Sequence, residues 1–343
     1  MISVIIPVYN GEKYINGIID NFRAQGADRQ SLELVFVDDG STDGSREILE
    51  RLADEQHFTL SVYSKENGGV SEARNYGIEH AKGEYITFAD VDDFVTADHF
   101  ETLKNAAEEN DFDVFMFGSV RVRDESKKVP KGDSSQPYEA EKISVLNRMV
   151  NDPTKYGVYN LLLKKSFIQK NGLKFPAGFK YYEDYDFIYR ALGSAEKILF
   201  TEKPLYYYML REGSAMQRFV PDRLYCISLM DKLCDWFKTA VPEFYPVFLK
   251  WGANRIYWSV LWQAALAFNY SFFKYFAENT DAAKRLKPLC GCNNKKVALS
   301  ARLYLISKPL YYVAAKLAAR GRSRLSPANA DDFKAVIKEF SKG

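Results

Sequence analysis

The sequence has little histidine: His57, His80 and His99 are its three, all within the first hundred residues, and surface or partly packed positions are expected for them rather than metal ligation. Cysteine is nearly as scarce. Cys226, Cys234, Cys290 and Cys292 lack metal-finger spacing, and Cys290-Gly291-Cys292 is one residue short of a C-x-x-C redox motif, so reduced structural thiols are expected. No G-x-G-x-x-G follows the first strand-like run, which argues against a dinucleotide-dependent dehydrogenase, and no G-x-x-x-x-G-K-[ST] phosphate loop occurs. No solenoid-length repeat is present either, which disfavours a stacked array. Met1 runs straight into Ile2-Ser3-Val4-Ile5-Ile6, leaving no room for a charged leader and apolar signal core, so a cytoplasmic amino terminus is expected. Acidic residues are missing from one long stretch: none lies between Asp281 and Asp331, where eleven lysines and arginines occur. That imbalance is informative, whereas the formal net charge of +2 is not.

The 343 residues suffice for a sizeable core and about two domains. In the first third, short apolar runs alternate with amphipathic stretches of helical length, the signature of an α/β fold with a mainly parallel, doubly wound sheet. Strands are predicted near Ser3 to Val8, Glu33 to Val37, Leu60 to Tyr63 and Tyr85 to Phe88. Helices are predicted over Glu12 to Ala24, Ser45 to Glu55, Val70 to Ala81 and Ala97 to Glu109, with Asp43 and Ser71 as helix-start residues. Asp113 to Val122 reads as a further strand pair and the polar Arg123 to Pro137 as a surface loop. From Pro221 onward the pattern is almost wholly helical, which puts a boundary near residue 217. The expected division is a catalytic domain over 1–217, with halves at about 1–120 and 121–217, and a smaller helical region over 218–343.

Ala89-Asp90-Val91-Asp92-Asp93 follows the apolar run Tyr85-Ile86-Thr87-Phe88, placing three carboxylates at the carboxyl end of a buried strand, where open α/β sheets bind ligands. Such acids repel one another unless a cation or donors offset their charge. Oxygen-only ligands suit Mg²⁺ or Mn²⁺ bridging to substrate phosphates; the bland alternative is a solvated acidic turn capping the next helix.

Four strand-end features occur in order: Pro7-Val8-Tyr9-Asn10, Val37-Asp38-Asp39-Gly40-Ser41-Thr42-Asp43, Glu66-Asn67-Gly68-Gly69-Val70-Ser71-Glu72-Ala73-Arg74-Asn75, and Asp90-Val91-Asp92-Asp93. Together they resemble the family-2 glycosyltransferases of the bacterial cell-surface polysaccharide type, over roughly residues 1–215. The resemblance implies the A-type, nucleotide-sugar-binding α/β fold. It also implies a set of binding residues at Pro7, Tyr9, Asp39, Asn67, Arg74 and Asp90. In that set Asp39 would read a uracil imide, Asp90 would hold ribose or sugar hydroxyls, and Asp92 would hold the metal, Mn²⁺ or Mg²⁺. Each residue has a plainer alternative. Asp38 can simply make a turn, Tyr9 can pack rather than cover the base, and Arg74, expected to reach the base or diphosphate, can pair at the surface with Glu72 or Glu79. Asp93 is expected to support the others or cap a helix. Family members that use a late histidine as a second metal ligand have no counterpart here.

Lys180-Tyr181-Tyr182-Glu183-Asp184-Tyr185 is the second cluster. Transfer to a hydroxyl needs a base, and the family pattern makes Asp184 that base and Glu183 its neighbour, with inversion at the anomeric carbon by single displacement. The plainer reading is a helix start stabilised by the helix dipole. Arg211-Glu212-Gly213-Ser214, after Tyr206-Tyr207-Tyr208, resembles a loop closing over the diphosphate, with a rim ion pair as the alternative for Arg211. Two departures stand out: Tyr159 and Leu161 replace the tryptophan and lysine of many members, and Gln217-Arg218-Phe219 is not the Q-x-x-R-W of processive synthases. Single addition is therefore favoured.

Lys295 to Arg324 mixes basic with apolar residues, and Pro309 is expected to break it into two helices. It reads as an anchor to an anionic membrane surface, at the inner face of the cell membrane; the alternatives are a basic dimer interface, hence a homo-oligomer, or a solvated cap. Ile256 to Phe273 is uncharged over eighteen residues but diluted by Ser259, Gln263, Asn269 and Ser271, so a buried core helix is expected rather than a span. No nucleic-acid recognition motif accompanies the basic tail. The expected activity is inverting, metal-dependent transfer from a nucleotide-sugar, UDP-linked by the Asp39 reading, to a hydroxyl of a saccharide or lipid-linked saccharide precursor. The competing readings are transfer to a polyprenyl phosphate, which would need no base, and a non-catalytic nucleotide-sugar-binding scaffold.

Overall fold

The run Ile2–Val8 forms β1, which leads through α1 (Glu12–Arg23) to β2 (Leu32–Asp38), α2 (Ser45–Leu52), β3 (Thr59–Ser64), α3 (Val70–His80) and β4 (Tyr85–Phe88). The computed structural model describes residues 1–26, 30–52, 58–123, 136–152, 155–211, 219–292, 294–318 and 329–340. All seven residues of β2 and all four of β4 are buried, as strands covered on both faces require. Val4, Ile6 and Val8 of β1 pack with Ile15, Ile18, Ile19 and Phe22 of α1 in one core layer. On the other face Ile5 lies beneath α3, where Gly77 permits the approach: a Cβ there would stand 2.5 Å from Ile5 Cγ2. These four strands are parallel in the order β3-β2-β1-β4. The chain therefore starts mid-sheet, grows outward to β3, and returns over α3 to the far side of β1. Connections diverge between β1 and β4, and a crevice opens there beyond their carboxyl ends.

The same sheet continues with β5 (Phe94–Val95), α4 (His99–Glu109), β6 (Val114–Val122), β7 (Tyr138–Ala140), α5 (Lys142–Asn151), β8 (Leu161–Lys164), α6 (Lys165–Lys170), α7 (Glu183–Ser194) and β9 (Ile198–Met209). The order is completed as β4-β8-β6-β9-β5, with β7 on β9; β8 is antiparallel to β4 and β6, while β6 and β9 are parallel. Asp113 to Val122 is thus one strand, not the expected pair. Gly118 makes no turn. It sits at a register irregularity where a Cβ would come 2.3 Å from the Glu202 carbonyl oxygen, so the glycine serves close strand approach. Of the expected surface loop, residues 124–135 lie outside the described residues.

The chain divides into two units, Met1–Arg211 and Glu212–Gly343. In the second, the described elements are helical: α8 (Tyr225–Ala240), α9 (Tyr245–Val247), α10 (Asn254–Ala267), α11 (Tyr270–Asn279), α12 (Ala282–Leu286), α13 (Lys295–Ile306), α14 (Lys308–Ala318) and α15 (Ala330–Phe340), with short 3₁₀ and π turns between. The uncharged stretch 256–273 is two helices rather than one. Asn269 breaks it by accepting the Phe272 amide at 2.9 Å as the cap of α11. Residues 295–318 divide at Ser307, and Pro309 occupies the first turn of α14, where its missing N–H is harmless. Among the described residues no helix is long and apolar enough to cross a membrane. Cys226 and Cys234 are buried free thiols, which burial pushes up to about 12. His99 is buried too, its Nδ1 2.9 Å from the Leu205 carbonyl, and desolvation lowers it to about 4. His80 stacks on Tyr76 at 4.0 Å, and His57 lies outside the described residues.

Candidate active site

The crevice is built from strand ends. Pro7, paired in register with Val37, is the penultimate residue of β1, and Tyr9, just past the strand, stands 55% exposed. Asn10 follows with φ of 52°, and its Oδ1 accepts from Thr42 N at 2.8 Å, tying this turn to the one after β2. Asp38 Oδ1 accepts from Ser41 N at 3.1 Å, a local turn bond. Asp39 is only 3% exposed and fully engaged. Its carboxylate accepts from Gly68 N at 3.0 Å, Gly69 N at 2.7 Å and Lys65 Nζ at 2.8 Å. Asn67 donates to the Asp39 carbonyl at 2.9 Å. Asp39, Asn67 and the paired glycines thus clamp the turn that starts α3. Gly69 takes φ of 89°, which a side chain would resist, and this turn rather than a Ser71 cap begins the helix.

Past β4, the three carboxylates diverge. Asp93 points into the protein, accepting from Met209 N at 2.7 Å and the Tyr206 hydroxyl at 2.9 Å; it caps no helix. That hydroxyl also accepts from Asp90 N at 3.0 Å, so Tyr206 pins the acidic turn at two points. Asp92 is part-exposed, with Arg211 Nε 3.2 Å from its Oδ2 and Arg211 Nη2 2.6 Å from its carbonyl. Arg211 in turn lies over the Tyr14 ring at 4.3 Å. Burial, and then Asp90, raise Asp92 above the usual carboxylate range, with Arg211 opposing. Burial first and Asp90 next push Asp93 up to about 8. Among the described residues no three Asp, Glu, His or Cys side chains converge as a metal cage. A hard divalent ion that keeps waters and binds substrate phosphates needs only one or two carboxylates, and Asp92 with its cation-seeking charge fits that set.

Arg74 joins the two halves of the crevice. It is 5% exposed, Nη2 lies 3.0 Å from Asp90 Oδ1, and Nη1 lies 3.3 Å from Glu183 Oε1. The surface pairing with Glu72 or Glu79 is overturned by this burial. Desolvation works against the guanidinium charge, but Asp90, Glu183 and Asp184 outweigh it and raise its pKa. Glu183 and Asp184 open α7 after Tyr182, which adopts φ of 67°. That left-handed residue turns the chain sharply at the head of the helix, a conformation that L side chains hold only at a cost. Burial, and after it Glu183, push Asp184 up to about 7, with Arg74 opposing.

Four contributors carry no site role on sequence grounds. Lys65 follows β3 as one more lysine, Tyr14 lies on an amphipathic helix, and Tyr206 sits in a run of three tyrosines that reads equally as strand packing. Tyr159 is the fourth: it stacks on Tyr206 at 4.3 Å and 8° and borders Tyr208 at 5.6 Å, forming an aromatic wall beside Asp90 and Asp93. Of the Arg211 loop, residues 212–214 lie outside the described residues.

Residues 3–169 match the model for "Glycosyl transferase family 2". The glycosyltransferase GlyG of Streptococcus pneumoniae is 32% identical over 235 residues, 63% of this chain and 73% of GlyG. EpsH of Bacillus subtilis is 31% identical over 222 residues, and the match takes in 64% of this chain and 63% of EpsH. The poly(ribitol-phosphate) beta-N-acetylglucosaminyltransferase TarS of Staphylococcus aureus is 31% identical over 221 residues, 62% of this chain but only 36% of TarS. The chain thus matches under two thirds of EpsH and about a third of TarS. In three dimensions the crystal structure of S. aureus TarS 1-349 in complex with UDP-GlcNAc has a TM-score of 0.61 at 22% identity, covering 100% of this chain and 92% of that one. A second crystal structure of S. aureus TarS 1-349 gives 0.65 at 20%, covering 100% and 91%. At these identities the structural likeness establishes the fold, which is the A-type glycosyltransferase fold.

Proposed function

The chain belongs to glycosyl transferase family 2 and is a glycosyltransferase, and from that premise we propose that it moves a sugar from a UDP-linked donor to a hydroxyl of a cell-surface glycan or lipid-linked saccharide precursor. The observation that carries the proposal is the Arg74 bridge, which links the donor-side Asp90 to Glu183 beside Asp184, Glu183 lying 109 residues beyond Arg74 in sequence. Asp184 acts as the base: pushed up to about 7, it is ionised above that pH yet basic enough to take a hydroxyl proton. The acceptor oxygen then bonds to the anomeric carbon from the face opposite the nucleotide. The carbon–oxygen bond to the diphosphate breaks with its electron pair leaving on UDP, so configuration inverts. Tyr9 covers the base, Pro7 and Asn67 shape its pocket with Asp39, and Asp90 receives donor hydroxyls. Arg211, already beside Asp92, supplies positive charge to the diphosphate. Asp92 would hold Mn²⁺ or Mg²⁺, which neutralises charge on the departing diphosphate when bound. UDP as the nucleotide is supported by the UDP-GlcNAc complex of TarS. Transfer is non-processive, in keeping with the missing Q-x-x-R-W.

Calorimetric titration with UDP, GDP and CMP, with Mn²⁺ and then with chelator, tests the donor side. Selective, metal-dependent UDP binding is expected; tight binding of GDP in preference to UDP would overturn the nucleotide assignment. Asp184→Asn should abolish transfer while leaving UDP affinity within about twofold of the unmodified chain, a loss confined to the chemical step. Full turnover in that variant would instead favour an acceptor that is already anionic, such as a polyprenyl phosphate.

A further inference from the structure

Of the ten large hydrophobic side chains exposed among the described residues, six lie within residues 299–317: Leu299, Leu305, Ile306, Leu310, Val313 and Leu317. Leu299 is 68% exposed and Ile306 79%. Their orientation is fixed from beneath. In α13, Val297, Ala301 and Tyr304 are buried, and Ser300 Oγ accepts from Trp258 Nε1 at 2.7 Å. The opposite face therefore carries Lys295, Leu299, Arg302 and Ile306 at helical spacing. In α14, Tyr311 and Ala315 are buried, the Tyr311 ring lying 5.7 Å from Phe273 and 5.6 Å from Trp262. Tyr312 donates to the Phe268 carbonyl at 2.9 Å and Lys316 to the Leu266 carbonyl at 2.7 Å, which locks the helix to the end of α10. Leu310, Val313 and Leu317 are thereby turned outward, and α14 is apolar on the face that packs and on the face that does not. A helix apolar all round is normally enclosed; this one is covered on one side only.

The charge around this face says what covers the other. No acidic residue occurs between Asp281 and Asp331, and the eleven basic ones include Lys295, Lys296 and Arg302 on α13 and Arg320, Arg322 and Arg324 in the sequence just after α14. The nearby Glu278 of α11 is neutralised by Lys308 at 2.9 Å. Aliphatic side chains in a row, rimmed by lysine and arginine, on helices of 12 and 11 residues that are too short to span a bilayer, suit an interface between acyl chains and anionic headgroups. We infer that the outward faces of α13 and α14 form a docking surface for an anionic lipid bilayer. This rests on the helical unit alone and is independent of the donor and base assignments.

The test is flotation of the full chain with vesicles of phosphatidylcholine and with vesicles of phosphatidylcholine and phosphatidylglycerol in equal parts. Binding to the mixed vesicles is expected to be about tenfold or more tighter than to the neutral ones, and to weaken with added salt. A Leu310→Glu/Leu317→Glu variant should stay in the bottom fraction with an unchanged melting temperature, because both positions are exposed. Lys295→Gln/Lys296→Gln should weaken binding to the mixed vesicles alone. Failure of the unmodified chain to float with mixed vesicles would overturn the inference, as would flotation undiminished by the glutamate substitutions. So would a concentration-dependent dimer in vesicle-free buffer that Leu310→Glu dissolves, since a second copy would then cover the face.

Discussion

The Arg74 guanidinium is shared by carboxylates that reach it from two elements, Asp90 after β4 and Glu183 at the head of α7, and its Nε is buried without a partner. Removing a buried cation from such a group leaves uncompensated negative charge. Arg74→Met should therefore destabilise the fold by about 3–5 kcal/mol, read as a drop in denaturation midpoint. It should also move the base: with Arg74 gone, only the Tyr185 amide still opposes burial and Glu183 in raising Asp184, so the rising limb of the pH–rate profile should shift to higher pH. A profile unmoved in that variant would separate Arg74 from the base. In the unmodified chain, log kcat/KM should rise with pH and level off above about 7, where Asp184 is ionised. Stability should run the other way. The folded-state pKa of about 7 exceeds the ordinary 3.8, so between those values the native state binds a proton that the unfolded chain does not. Stability from this group is full below the lower value and is lost as pH rises through the upper one. Asp184→Asn should accordingly melt higher than the unmodified chain at pH 8, by about 1–3 kcal/mol, while inactive. An equal or lower melting point at that pH would show that the carboxylate is not strained by its surroundings.

At the scale of elements, α3 is held against the sheet by the absence of a side chain at Gly77, where a Cβ would meet Ile5 Cγ2 at 2.5 Å. Gly77→Ala should force α3 outward and cost about 1–3 kcal/mol by overpacking. Because Arg74 lies on the same helix, nucleotide affinity should fall with stability; unchanged calorimetric binding would mean the helix absorbs the methyl group without moving. The β-α alternation that carries α3 is legible in the sequence, since strands buried on both faces are mostly apolar runs and the intervening helices are amphipathic. What is not legible depends on contacts distant in sequence. Asp113 to Val122 reads as a strand pair until Glu202 of β9 is seen beside Gly118, and the uncharged stretch 256–273 gives no hint that Asn269 will cap a new helix rather than sit inside an old one. The site shows the same division. The strand-end acids announce themselves by position, yet Asp39 cannot be seen to be engaged by Lys65, Gly68 and Gly69, nor Asp93 to turn inward to Tyr206. Composition names the charged residues of a crevice, but only the fold pairs them.

At the scale of the whole molecule, charge is distributed by segment rather than mixed. The chain carries a formal +2, but residues 282–330 hold eleven basic and no acidic residues, so the remainder is net negative by nine. The family match lies in the acidic remainder, over residues 3–169, and so do the strand-end carboxylates Asp39, Asp90 and Asp92. Within the basic stretch, Lys295–Ile306 and Lys308–Ala318 are helices with their own exposed apolar face. A protein with evenly mixed charge loses its affinity for both kinds of ion exchanger near its pI, which is about 8.1 here. Segregated charge behaves differently, because a local potential of one sign persists where the total vanishes. At about pH 8 and low salt the full chain should be retained on a cation exchanger and released by added salt. Lys295→Gln/Lys296→Gln/Arg302→Gln should lower the eluting salt concentration markedly. Neutralising the exposed Lys104, Lys170 and Lys174, each paired with a glutamate in the first unit, should change it little. Equal shifts from the two sets would mean that retention follows total charge, and the basic helices would then have no more pull on an anionic surface than any other lysine-bearing part of the protein.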